Sequence, residues 1–296
     1  GKPVDGAELE THQAVLALAH VPDQPGVAAQ LFEALSAAGL NVDLIVQATH
    51  EGDFGAGTGQ NAFTNDIAFT VVEAQLDRAQ LVCREVLAAM GATLNDGGAQ
   101  LSAEAGLAKL SISGAGIMGR PGVAARLFDT LARSGINLRL IATSEVKVSC
   151  LVAGDQADRA LRAAAEAFEL PDQQLRRNPR PCHQGDPAVR GVALDRDQAQ
   201  VAVRRLPDRP GTAAAVCRTL ADASISLDAI VQSERTHAGP SRDMSFVLKR
   251  DDLARAQQAL AIPAASVTHL AVDLGDLDSV NRLVDAVHAT GRSLDA

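Results

Sequence analysis

The sequence predicts an α+β protein made of tandem ferredoxin-like modules, and two observations support this fold class. One pattern of strand, Pro-Gly turn and helix occurs three times along the 296 residues, with its prolines at Pro25, Pro121 and Pro210. In each copy the helical and strand periodicities follow the order β-α-β-β-α-β, which is typical of an antiparallel sheet covered on one face by two helices. Repetition at this level indicates duplicated modules. The modules are predicted at 10–100, 101–170 and 192–265, with a linker at 171–191 and a tail of uncertain fold at 266–296.

Each copy begins with a short alternating strand, and a helix follows the Pro-Gly turn. Proline suits the first position of a helix because its missing N–H would have no partner there. The helix of the first copy presents an apolar stripe to the sheet, and Gly39 is predicted to end it, as Gly135 does in the second copy. The stripe residues of the three copies are Val27, Leu31, Phe32 and Leu35; Val123, Leu127, Phe128 and Leu131; and Thr212, Val216, Cys217 and Leu220.

Two further strands and a second helix complete each copy. In the second strand of the first copy, predicted at 41–47, Asp43 and Gln47 are expected to face the same way because side chains alternate along a strand. The third strands are predicted at 66–71, 147–152 and 243–248, and the second helices at 76–90, 157–168 and 251–260.

The composition disfavours several classes of function. The net charge is −9 and only 2% of the residues are aromatic, so no nucleic-acid partner is expected. The four cysteines lie far apart without a CxxC pair, which is typical of reduced cysteines in a cytoplasmic protein. No apolar run approaches the roughly 20 residues that cross a bilayer, and the first residues lack a signal-peptide core. The sequence therefore predicts a soluble cytoplasmic protein that does not bind membranes.

No arrangement of a nucleophile and a base is recognisable in the sequence, and the seven histidines are scattered. No catalytic, cofactor-binding or metal-binding residue is therefore predicted in this chain.

The repeated segments closely resemble the pair of ACT domains at the C-terminal end of aspartate kinases, over about residues 10–170. The third copy is similar to the additional ACT modules of the cyanobacterial enzymes. The resemblance rests on residues 22–29 (PDQPGVAA), 41–47 (NVDLIVQ), 65–71 (NDIAFTV), 114–118 (GAGIM), 121–125 (PGVAA) and 136–145 (INLRLIATSE).

This resemblance implies the allosteric regulatory region of an aspartate kinase, an enzyme that converts ATP and L-aspartate to 4-phospho-L-aspartate. It implies that lysine, threonine or both bind at interfaces between ACT modules, usually within a homodimer. ATP and Mg would belong to the kinase domain, whose phosphate-binding motif does not occur in this sequence. The chain is therefore not expected to catalyse a reaction alone.

The resemblance also implies which residues contact the effector. N–H groups at the helix start suit a carboxylate, and Asp43 on the neighbouring strand is expected to pair with an α-ammonium group. For any one of these residues, an exposed side chain without a ligand remains the alternative. The implied positions are Asp23, Gly26, Ala28, Asp43 and Gln47 in the first copy, Asn137, Leu138 and Ser144 in the second, and Asp208, Gly211, Ala213, Asp228 and Gln232 in the third.

Two other functions stay open at this stage. Residues 114–119 (GAGIMG) match the G-x-G-x-x-G pattern of dinucleotide-binding turns, and the tail resembles a stretch of light-dependent protochlorophyllide reductase. These features allow a fragment or fusion of an NADPH-dependent short-chain reductase. The repeated modules also allow a purely structural role in dimerisation.

Overall fold

The computed structural model describes residues 2–22, 24, 26–51, 63–90, 99–117, 120–144, 146–179, 197–232, 241–260 and 267–270. Within these residues the chain forms three modules, each with antiparallel strands and two helices. The predicted fold class is therefore confirmed.

The first module has the strand order β4-β1-β3-β2, in which all neighbours are antiparallel. Both helices cover the same face of the sheet, where Leu31, Leu35 and Leu87 pack with Phe69 of the central strand β3. The elements are β1 (Gly6–Pro22), α1 (Val27–Ala37), β2 (Asp43–Glu51), β3 (Phe63–Val72), α2 (Leu76–Ala89) and the first half of β4 (Gln100–Ser113).

The second module has the same strand order, but it takes its fourth strand from the beginning of the chain. Residues 6–10 of β1 pair with the second half of β4, with Glu10 opposite Lys109. Strands β1 and β4 therefore each serve two modules, and His12 (φ 55°) and Gly106 (φ 69°) have left-handed backbones where these strands pass from one module to the other. The remaining elements are α3 (Val123–Arg133), β5 (Ile141–Ser144), β6 (Lys147–Ala153) and α4 (Ala157–Phe168).

A short strand at the end of the second module lies in the interval predicted as a linker. Strand β7 (Leu175–Arg177) pairs in parallel with residues 7–9 of β1. This part of the interval thus belongs to the edge of the sheet, and residues 180–191 of the predicted linker lie outside the described residues.

The third module repeats the strand order as β11-β8-β10-β9. Its fourth strand comes from the first residues of the predicted tail, which pair with β8. Residues 271–296 lie outside the described residues. The elements are β8 (Gln198–Pro207), α5 (Thr212–Asp222), β9 (Ala229–Gln232), β10 (Ser241–Lys249), α6 (Leu253–Leu260) and β11 (Val267–Leu270).

The second and third modules are joined edge to edge. Strand β5 pairs with β9, with Ile141 opposite Gln232, and the sheet becomes continuous across this junction. Helices α3 and α5 also meet, and the two modules share one hydrophobic core. The contacts are nearly symmetric, since a Cβ on Gly122 would lie 3.7 Å from Ala221 and one on Gly211 would lie 3.8 Å from Ala132.

A smaller core lies on the sheet faces that no helix covers. There Val46 and Ala68 of the first module pack with Leu107 and Leu151 of the second, and Val231 of the third module is in contact with this group. The first module therefore lies face to face with the other two, and its strand β2 lies near their junction.

The glycines of the three Pro-Gly pairs have the same backbone geometry. Gly26, Gly122 and Gly211 precede their helices with φ of 96°, 94° and 95°, a left-handed region in which a side chain is strained. Gly39 and Gly135 end the first two helices in the left-handed conformation, as predicted, whereas Ser224 adopts it in the third module.

Candidate functional site

An open cleft lies beside the Pro-Gly turn of the first module. Gly26 and Ala28, from the turn and the first turn of α1, form one side, and Gln47 of β2 with Asn65 of β3 forms the other. The cleft encloses about 390 Å³, which is within the size range of sites for small molecules. The first N–H groups of a helix have no partner inside the helix, so this end of α1 can receive a carboxylate.

Three of the five effector positions implied for the first module thus lie together. Gly26, Ala28 and Gln47 line the same cleft. Asp23 lies outside the described residues. Asp43 lies elsewhere.

The expectation that Asp43 and Gln47 face the same way along β2 is wrong. The pairing of β2 with β3 shifts register between Asp43 and Val46, and Leu44 between them has a left-handed backbone with φ 36°. This irregularity interrupts the alternation of side chains. It turns Asp43 to the face of the sheet that packs on the second module, where its carboxylate forms an ion pair with Lys109.

Lys109 is the centre of a charged cluster between the first two modules. Its side chain is 6% exposed, and its Nζ lies 2.7 Å from Oε1 of Glu10 in addition to contacting Asp43. Burial by itself would raise the pKa of Asp43, but the Lys109 ammonium outweighs burial and holds that pKa below its usual value. Burial would likewise lower the pKa of Lys109, and the two carboxylates raise it instead. Both groups are therefore charged near neutral pH.

A second cluster lies at the junction of the second and third modules. Asp208 precedes the third Pro-Gly turn, and its Oδ1 accepts a hydrogen bond of 3.0 Å from Nδ2 of Asn137. Its Oδ2 lies 2.9 Å from Nε of Arg242, whose side chain is 10% exposed. The Arg242 Nη1 also donates to the backbone oxygen of Arg139 in the second module, at 2.6 Å.

The partners of Asp208 decide its protonation. Burial raises the pKa of Asp208, but the hydrogen bond from Asn137 and the Arg242 guanidinium together hold that pKa below its usual value. Asn137, Asp208 and Arg242 therefore form an ionised, hydrogen-bonded bridge between the two modules.

On the other side of this junction, beside the second Pro-Gly turn, lies a cleft much narrower than that of the first module. Gly122 and Ala124 at the second Pro-Gly turn, with Thr143 and Ser144 of β5, face Leu227 of the third module. The space is about 30 Å³, enough for a water molecule. The Thr143 hydroxyl is already used, because it accepts a 2.7 Å hydrogen bond from the N–H of Ile230.

The other implied effector residues are distributed around this junction. Gln232 is buried and opposite Ile141, and Leu138 is buried in the core that the two modules share. Gly211 and Ala213 lie at the start of α5, as their counterparts do in α1. Asp228 points elsewhere, with its Oδ2 3.5 Å from the side-chain amide of Gln198.

Sequence reasoning missed Lys109, Arg242 and Asn65 as members of these sites. Lys109 lies between the apolar residues Leu107, Ala108 and Leu110, and a lysine at such a position signals a buried ion pair. Asn65 and Arg242 occupy equivalent positions, since each lies two residues before the partner of Gln47 or Gln232 in the hairpin. The predicted third strands at 66–71 and 243–248 already align these two positions, but the sequence does not show that they lie beside the Pro-Gly turns.

The described residues hold little else that could carry chemistry. Cys83, Cys150 and Cys217 are buried, and burial raises the pKa of each thiol to about 12, so they are poor nucleophiles. No group of three or more potential metal ligands occurs in this part of the chain. None of the helices among the described residues is long and apolar enough to cross a membrane.

Comparison with known proteins extends these observations. Family models for the ACT domain match residues 15–80, 110–168 and 201–262. The aspartokinase of Thermus thermophilus is 37% identical over 169 residues, which covers 57% of this chain and 38% of that protein. The aspartokinase of Pseudomonas aeruginosa is 34% identical over 168 residues, covering 56% and 37%.

The crystal structure of aspartate kinase from Synechocystis is similar over a longer stretch. It matches with a TM-score of 0.78 and 42% identity, covering 91% of this chain and 45% of that chain. The chain thus spans less than half the length of the relatives named here. Nearly all of its described part nevertheless has a counterpart in one of them. The chain therefore belongs to the ACT-domain family, and its modules are of the type that forms the regulatory region of aspartate kinases.

Proposed function

We propose that this chain is the amino-acid-sensing regulatory region of an aspartate kinase and that it binds lysine or threonine. The observation that carries the proposal is the open cleft of the first module, where Gly26, Ala28 and Gln47 lie together beside a helix start. The likeness to aspartate kinases over most of the chain supports the same function. Phosphoryl transfer from ATP to aspartate, with Mg, belongs in this proposal to a kinase domain that the regulatory region controls.

The cleft suits a zwitterionic ligand. The start of α1 can receive the α-carboxylate. The side-chain amides of Gln47 and Asn65 can both donate and accept hydrogen bonds on the opposite side. Asp43, the residue expected to pair with the ammonium group, is instead bound to Lys109. In this proposal Asp23 takes that role, because it precedes its turn in the sequence as Asp208 does in the third module.

Control of a kinase domain requires that the ligand prefer one arrangement of the modules. A ligand shifts an equilibrium only through different affinities for its two states, and typical couplings between sites are about 1–3 kcal/mol. Strand β2 is well placed for such a coupling. It holds Gln47 in the cleft, and at Asp43 it is tied to Lys109 of the second module.

Binding is tested by isothermal titration of the chain with lysine and threonine. Replacing Gln47 with alanine is expected to weaken binding about tenfold, which corresponds to the loss of roughly one good hydrogen bond. Gln30→Ala is the matched control, since Gln30 is exposed on α1 and does not line the cleft. If neither lysine nor threonine binds, the proposed function is contradicted. Binding that Gln47→Ala leaves unchanged would place the site elsewhere.

The edge of the first module supports a homodimer. Ile45, Ile141 and Ile230 occupy equivalent positions after their Pro-Gly turns. Ile141 and Ile230 are buried where β5 meets β9, but Ile45 is 51% exposed on β2, which ends the sheet among the described strands. An exposed apolar strand edge favours pairing with another strand, and the same edge of a second copy would give a symmetric interface.

Replacing Ile45 with aspartate is expected to weaken dimerisation by at least about thirtyfold, because a charge would be buried without a partner in the paired edge. Sedimentation equilibrium over a range of concentrations measures the effect. Val72→Asp is the control, since Val72 is also exposed but lies on the interior strand β3. A dimer of equal strength in Ile45→Asp would exclude this edge as the interface.

A further inference from the structure

The Pro-Gly turns of the first and third modules do not offer equivalent sites, and the difference between these two can be traced to one position. In the first module this position is Asn65, which lines the open cleft. In the third module it is Arg242, which occupies the space between the turn and the second module.

The third module otherwise retains the parts of an amino-acid site. Asp208 precedes the turn, Gly211 begins the helix with the same backbone geometry as Gly26, and Gln232 replaces Gln47. Asn137 of the second module completes the set from across the junction. The Oε1 atom of Gln232 is buried, and among the described residues it has no hydrogen-bond partner, so an unused acceptor lies at this position.

At the Pro-Gly turn of the third module, the positive charge beside Asp208 is supplied by Arg242 of the chain itself. Both oxygens of Asp208 are engaged, one by Asn137 and the other by the Arg242 guanidinium. The same guanidinium donates to the backbone of Arg139, so it also ties the third module to the second. A charge-assisted contact this well buried is stronger than a neutral hydrogen bond, and a ligand would have to displace it.

We propose that Arg242 closes the amino-acid site of the third module by holding Asp208 in place of a ligand's ammonium group. The second and third modules are then held together at this site without a ligand, and of the two sites compared here, sensing is confined to the Asn65 cleft of the first module. The inference rests on the proposed function, because it assigns which of the repeated sites that function uses.

The inference is tested by exchanging the two residues in the full chain and counting bound lysine and threonine by isothermal titration. Arg242→Asn is expected to raise the number of ligands bound per chain about twofold, whereas Asn65→Arg is expected to weaken binding at the first module at least tenfold. Arg242→Lys is the matched control, since it retains a cation and should bind the same number of ligands as the wild type. Gln232→Ala in the wild-type background should leave binding unchanged, because its site is closed.

The outcomes separate this inference from the proposed function. If wild-type binding depends on Gln47 but Arg242→Asn binds no additional ligand, the closure by Arg242 is overturned and the sensing function stands. If Gln232→Ala weakens wild-type binding as strongly as Gln47→Ala does, the third site is open and the inference is likewise wrong. If neither amino acid binds any of these proteins, both proposals are overturned. If Arg242→Asn does not fold, Asn65→Arg still tests the inference. Binding at least tenfold weaker in Asn65→Arg supports it, and unchanged binding overturns it.

Discussion

Replacing Lys109 with methionine is expected to lower the free energy of unfolding by about 3 kcal/mol, since removal of the buried ammonium group leaves two partly exposed carboxylates without their counter-ion. The Lys109 side chain is 6% exposed, and it neutralises two carboxylates, of which Glu10 is 24% exposed and Asp43 50% exposed. Without the ammonium group these two carboxylates repel one another at the contact between modules. The partial exposure of Asp43 allows some rehydration, which keeps the loss at the lower end for buried ion pairs.

Urea denaturation measures this loss, and Lys147→Met provides the control. Lys147 lies on the neighbouring strand β6 and pairs with Glu8 at 2.7 Å, but its side chain is 39% exposed. Exposed ion pairs contribute at most about 1 kcal/mol, so Lys147→Met should cost less than that. Equal losses of unfolding free energy in Lys109→Met and Lys147→Met would show that the burial of Lys109 does not make its ion pairs more stabilising.

The same cluster gives the protein a defined dependence on pH. The pKa of Asp43 is lowered on folding, so its contribution to stability is fully present above the ordinary value near 3.8 and is lost as pH falls through the lower folded value. The pKa of Lys109 is raised, so its contribution is present below 10.5 and is lost as pH rises through the higher folded value. The dependence at high pH should disappear in Lys109→Met, whereas the dependence at low pH should weaken, because the hydrogen bond from the N–H of Leu44 and the charge of Lys147 still act on Asp43.

The order of helices and strands could be predicted because it depends on local patterns. The apolar stripes of α1 and α3, the Pro-Gly turns and the ends of the first two helices agree with the structure. Each of these features is decided within one or two turns of chain by side-chain periodicity or by the backbone preference of glycine.

The sharing of strands between modules could not be predicted in this way. Residues 6–10 join the second module through pairing with 109–113, a contact about a hundred residues away in the chain. The strands of both modules have alternating patterns that could pair with residues 6–10. Nothing in a single sequence says which of the two modules these residues will complete. The position of Asp43 failed for a related reason. A bulge changes the side-chain direction on β2, and its residue Leu44 has no feature that announces a left-handed backbone.

The glycines at 114–119 illustrate how a motif can have a packing origin. In the described residues, Gly114 and Gly116 lie against the first residues of the chain: a Cβ on Gly114 would be 2.3 Å from the backbone oxygen of Pro3, and one on Gly116 would be 2.6 Å from its Cα. Val4, next to Pro3, is fully buried in the core of the second module. These two glycines thus allow the segment before β1 to lie against the turn that follows β4.

Gly114→Ala is accordingly expected to lower the free energy of unfolding by about 3 kcal/mol, at the upper end for overpacking, because the obstructing atoms belong to the backbone and cannot rotate away. The start of β1 must shift, which also strains the hydrogen bond of 2.9 Å from the N–H of Asp5 to the oxygen of Ser113. Thermal and urea unfolding measure the loss, and Ala115→Ser is the control because Ala115 is the exposed neighbour in the same turn.

The same variant separates packing from dinucleotide binding. If the glycines serve packing, Gly114→Ala loses stability and the stability of Ala115→Ser stays within about 0.5 kcal/mol of the wild type. In that case neither the wild type nor either variant binds NADPH saturably. If the glycines cradle a pyrophosphate, the wild type binds NADPH, and Gly114→Ala abolishes this binding while its stability stays close to that of the wild type. The short distances to Pro3 favour the first result, because a Cβ added at Gly114 would lie 2.3 Å from the Pro3 oxygen in the folded chain, whether or not a ligand binds.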